Sequence, residues 1–175
     1  NKPSPHARLW PMIQQPLADR NFRHFLGYTA MMTFAMGYLN QFVWLYLFDV
    51  GHLSNTRANA MLTIFPLIIT MSCYPLWGRL IDRFGRKPVL VISGLLIVKG
   101  AAAWMFVTSE TWVIGYAGVL IATFAWPGME LANLNILLGM SQSMGGRRYG
   151  TAYIAMTSFV TAVAGILSGL FGGAI

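Results

Sequence analysis

Two charged side chains, Lys99 and Glu130, lie deep inside long apolar stretches of this 175-residue sequence. A charge at bilayer depth costs about 3 kcal/mol or more unless it is paired or wetted, so both are candidates for chemistry. A carboxyl group there can exchange a proton or attract a cation, and an ammonium group can be its partner. At 1.5 Å of rise per residue, Lys99 sits about 16 Å along a helix beginning at Pro88, and Glu130 about 15 Å back from a helix end near Met140. If both helix ends mark one membrane face, the two residues share a depth. An ion pair, or a proton traded against that pair, is then geometrically allowed. The plainer alternative is that Lys99 snorkels along a lipid-facing helix while Glu130 bonds a neighbour.

The stretch around the acid reads WPGMELANLN. Pro127 removes a backbone donor and crowds the carbonyl of Thr123, which predicts a kink and an exposed carbonyl near the midplane. Bent helices at such depth are where membrane proteins that move solutes place their ligands. Asn133 shares a helix face with Glu130 at i, i+3, whereas Asn135 points elsewhere. Trp126 can stack on a ring-shaped ligand or simply pack. Near the end of the chain, Gly165, Gly169 and Gly173 recur every four residues, a spacing that lets helices approach closely.

These residues need membrane-spanning elements to position them, and the composition provides for that. Hydrophobic residues make up 56% of the chain and charged ones 10%, against about a quarter charged in a soluble domain. The mean hydropathy is +0.57. After a basic, proline-rich lead-in over 1–24, the apolar residues fall into five blocks, at about 25–50, 58–77, 88–107, 111–140 and 149–175. Each is long enough to span a bilayer as a helix, and lipid excludes irregular backbone, so the expected fold over 25–175 is an all-α transmembrane bundle. The sequence starts at Asn1 rather than Met and stops within an apolar run, so a fragment of a longer protein is expected.

Lys and Arg fix the expected orientation. The lead-in, the second-to-third loop and the fourth-to-fifth loop carry ten of them, and the opposite side carries Arg57 alone. The N-terminus and both basic loops are therefore expected on the cytoplasmic side. This confinement to short loops argues against nucleic acid as the partner of the +7 net charge. His6, His24 and His52 lie in or near polar ends without Cys or acids at metal-ligand spacing, so no metal is expected. No glycine-rich phosphate loop precedes a helix, which argues against ATP-driven work, and no catalytic constellation or cofactor is expected. The single Cys73 allows no intrachain disulfide and reads as a packed side chain.

One loop departs from its surroundings. GRLIDRFGRKP, residues 78–88, holds five charges in eleven residues. Topology accounts for Arg79, Arg83, Arg86 and Lys87 but not for Asp82, nor for Gly78 and Gly85 framing a tight reversal. The pattern Gly78, Asp82, Arg83, Gly85, Arg86, Lys87 between the second and third helices resembles the signature of the major facilitator superfamily. The resemblance implies a six-helix half cut before its last helix. It makes Asp82 a conformational latch with Arg83 and Arg86 as its or another acid's partners, and Gly78 a close-packing point. It also makes Asn40 and Gln41 of the first helix substrate contacts, with bonding across helices as the alternative. The fourth-helix stretch YAGVLIATFAWPG lacks an Arg often found in N-terminal halves, and SGLFGG lacks a Pro before its glycine pair. Both departures, with the linker-like lead-in PLADRNFRHFLGYTA, favour a C-terminal half, an N-terminal half being the alternative.

The resemblance implies a secondary active transporter in a plasma or inner membrane. It would move a small organic solute by alternating access, with protons as a coupling partner and the other half of the protein completing the path. The alternative is a membrane module that keeps the fold as a sensor or scaffold without transporting.

Overall fold

A computed structural model describes residues 14, 16–49, 52, 54–108, 110–143 and 147–173. The lead-in expected over 1–24 lies mostly outside them. Helix α1 is Arg20–Asp49. The next helix has two parts, α2 (Asn55–Asn59) and α3 (Phe65–Phe84), joined by a π-helical stretch Ala60–Ile64. Helix α4 is Arg86–Ala103 and closes in a 3₁₀ turn, Trp104–Phe106. Helix α5 is Trp112–Ser143 and α6 is Arg147–Gly173. No strand occurs among the described residues.

Four stretches are long and apolar enough to cross a membrane: Asn55–Phe84, Arg86–Phe106, Trp112–Ser141 and Gly150–Gly173. Five such helices were expected. Helix α1 has the length, 30 residues, but Arg20, Arg23 and His24 open it, and Thr33, Asn40 and Gln41 dilute its apolar face.

The charged loop is much shorter than its composition suggests. Residues 78–84 complete α3, and α4 already begins at Arg86. Nothing in RLIDRF breaks a helix, since Arg, Leu and Ile are at home in one and charge alone does not end it. The break falls on Gly85 alone, at φ 88 and ψ 161, a region open essentially to glycine. Gly78 and Gly85 therefore do not frame the reversal together: Gly85 makes it, and Gly78 is an interior residue of α3.

The described residues form two compact units, one drawn from Asn1–Val43 with Leu137–Ile175 and one from Trp44–Ile136. In the first, α1 packs on α6. The rings of Phe22 and Tyr153 meet edge-on at 4.5 Å, and those of Phe34 and Phe171 at 6.0 Å. Gly37 lies against Ser168, and Gln41 against Gly169 and Gly172. These contacts advance together along both helices, so α1 and α6 run parallel.

In the second unit, α4 and α5 are antiparallel: Arg86 meets Asn135 at one end, and Gly100 meets Gly118 and Ala122 towards the other. Helix α3 and the residues before it run parallel to α5, from Met61 beside Gly115 to Trp77 beside Phe124 and Gly128. The core of this unit joins three helices through Trp77, Val89 and Ala132, with Cys73, Leu80 and Leu131 packed around them.

Candidate functional site

Helix α5 stays helical through Pro127, whose side chain is fully buried. Two α3 side chains one turn apart, Tyr74 and Trp77, grip it there. The Trp77 indole N–H donates to the carbonyl of Phe124 at 2.7 Å. Its ring lies on Gly128 so closely that an added Cβ would come 2.5 Å from Cδ2. Tyr74 donates its phenol O–H to Oε2 of Glu130. A carboxylate on one helix and a phenol on another are thus joined directly, and both helices carry an interior proline, Pro75 next to Tyr74 and Pro127 before Glu130.

Glu130 itself is exposed. One turn earlier on the same face, Trp126 is exposed as well. One turn later, Asn133 holds a buried Oδ1 with no hydrogen-bond partner among the described residues. An unpaired buried acceptor carries a desolvation cost of about 1–3 kcal/mol, which a donor arriving from a ligand would relieve. Asn135 turns its amide back to the carbonyl of Leu131 at 2.9 Å. The exposed carboxyl group of Glu130 can receive a proton or attract a cation.

Lys99 is not part of this arrangement. With Arg86 against Asn135 and Gly100 against Gly118 and Ala122, the register of α4 on α5 puts Lys99 roughly 13 Å along the axis from the level of Glu130. The shared depth expected from the sequence fails because the two helix ends used to measure it, Pro88 and Met140, do not lie opposite each other. Lys99 is exposed, while its neighbours Ile97 and Gly100 face inward.

The charged motif lies around Gly85. Asp82, Arg79 and Lys87 are exposed. The guanidinium of Arg83 stands 5.3 Å from the centre of the Phe84 ring. Arg86 donates from Nη1 to the main-chain carbonyl of Asn135 at 2.8 Å, tying the start of α4 to α5. Apart from its chain neighbours and its own helix backbone, no heavy atom among the described residues lies within 4 Å of a Cβ placed on Gly78. Gly128, by contrast, is closely approached by the Trp77 ring.

Asn40 and Gln41 belong to the other unit, and both are exposed. Gln41 is pressed against Gly172 and lies 3.6 Å from a Cβ placed on Gly169. Gly165 and Gly173 have open space at their Cβ positions. The sequence singled out Glu130 as a candidate but not the side chains that pack around it, Tyr74 and Trp77. The available signal was Pro75, a second interior proline set directly after a tyrosine in an apolar run.

The family model described as Major Facilitator Superfamily matches residues 2–169. Two relatives carry the name Efflux pump dotC, one from Dothistroma septosporum and one from its strain NZE10 / CBS 128990. Each is 29% identical over 128 residues, covering 71% of this chain and 20% of the relative. The chain thus spans a fifth of the length of the curated relatives it matches. No solved structure gives a significant match.

Proposed function

Because the chain belongs to the major facilitator superfamily, we propose that it is one half, the C-terminal one, of a secondary transporter that moves a small organic solute by alternating access. The observation that carries this reading is Glu130. A carboxylate within a membrane-length helix is costly, and its partner here is a neutral phenol rather than a basic side chain. Its counter-charge is then a mobile one, a proton or a cationic group on the solute. The free Oδ1 of Asn133 supports a polar ligand at the same place. The relatives named as efflux pumps support export as the direction. The excess of Lys and Arg in the lead-in and around Gly85 supports a cytoplasmic N-terminus, in a plasma or inner membrane.

Alternating access needs helices that move as packed bodies, and Asp82 at the end of α3 is the proposed latch between states. The coupling step is tested with the full-length protein in proteoliposomes. A proton gradient should drive solute flux in the wild type. Glu130→Gln should lose gradient-driven flux while still exchanging solute across the membrane at equal pH. Gradient-driven flux at the wild-type rate in Glu130→Gln would remove Glu130 from the coupling step.

A further inference from the structure

Trp77 lies in the same helix contact as the Glu130–Tyr74 bond, and its own N–H goes to a different partner. It is almost completely buried and is held to α5 in two ways. Its N–H bonds the Phe124 carbonyl at 2.7 Å, and its ring lies flat on Gly128, with Cδ2, Cε3 and Cε2 at 2.5, 2.6 and 2.8 Å from a Cβ built there. The first contact fixes α3 along the axis of α5 and the second fixes how near it comes. Tyr74 is three residues earlier on α3, on the same helix face as Trp77. Its phenol reaches a carboxylate two residues past Gly128.

We propose that Trp77 and Gly128 set the register in which α3 presents Tyr74 to Glu130, so that Trp77 is a positioning residue for the carboxylate. As an account of transport, this rests on the reading of Glu130 given above. A hydrogen bond tolerates only a few tenths of an ångström before it weakens. A methyl group on Gly128 must move the rigid indole by about 1 Å to reach ordinary carbon–carbon contact. That displacement exceeds what the Tyr74–Glu130 bond can absorb.

The test uses the full-length protein in detergent and a hydrophobic carbodiimide, with labelling of Glu130 read by mass spectrometry. In the wild type the phenol occupies Oε2 and labelling is slow. Tyr74→Phe should label on the order of tenfold faster, the equivalent of one hydrogen bond to a charged acceptor. Gly128→Ala should reproduce that increase with Tyr74 intact, and adding it to Tyr74→Phe should bring no further gain. Trp77→Phe, which keeps an aromatic ring but loses the N–H, is the milder second variant and should also label faster. Wild-type labelling rates in both Gly128→Ala and Trp77→Phe, or increases that multiply with Tyr74→Phe, would overturn the proposal. The readout does not depend on solute flux. Coupled labelling in a protein whose Glu130→Gln variant transports normally would keep the register and remove only the transport role.

Discussion

At the residue scale, Glu130 stood out as a candidate because charge inside an apolar block is conspicuous. Its partner did not. Tyr74 looks like any aromatic residue in a membrane helix, and only the register of α3 on α5 brings its O–H to the carboxylate. Lys99 shows the converse error, since a depth counted from helix ends assumes that the ends are level. Asp82 is exposed on the last turn of α3, and the latch proposed for it would act on the rate of switching rather than on solute contacts. Asp82→Asn should lower transport turnover several-fold and leave solute affinity unchanged. An unaltered turnover at normal expression would count against the latch.

At the element scale, helix existence followed from the apolar blocks, and helix ends did not. A run of charge reads as a loop, but helix propensity carries α3 on to Phe84, and backbone geometry puts the break on Gly85 alone. Gly85→Ala must force a side chain into a glycine-only region and should destabilise the protein by about 1–3 kcal/mol. Gly78→Ala, which meets open space inside a helix, should be neutral or mildly stabilising. Thermal unfolding of the two variants distinguishes them, and equal losses would contradict the assignment of the turn. The glycine repeat of α6 was readable as a motif, but the facing helix decides which members are tight. Gln41 lies against Gly169 and Gly172, a contact that spacing alone could not select.

At the scale of the whole molecule, alternating directions are written into the contacts of each unit. Helices α1 and α6 run parallel, α3 and α5 run parallel, and α4 opposes α5. Together with the basic loops, this predicts that Ser54 and Lys87 face opposite sides of the membrane. In a Cys73→Ser background, Ser54→Cys should react with an impermeant thiol reagent added outside, and Lys87→Cys only after permeabilisation. Labelling of both from one side would reverse or break the topology. Membership of the family and the helical membrane fold were accessible from one short motif and the apolar blocks. The solute was not, because the types of residue at Glu130, Asn133, Asn40 and Gln41 suit many polar or cationic solutes alike.

Coupled transport of the kind proposed requires Glu130 to answer to a ligand. The most direct measurement is thermal unfolding of the full-length protein in detergent against a panel of neutral, cationic and anionic solutes at two pH values, with Glu130→Gln alongside. If Glu130 takes that role, at least one solute raises the unfolding temperature of the wild type by a pH-dependent amount, with that dependence lost in Glu130→Gln. A folded wild type that no solute stabilises, or a Glu130→Gln variant that keeps the full pH-dependent response, would contradict it.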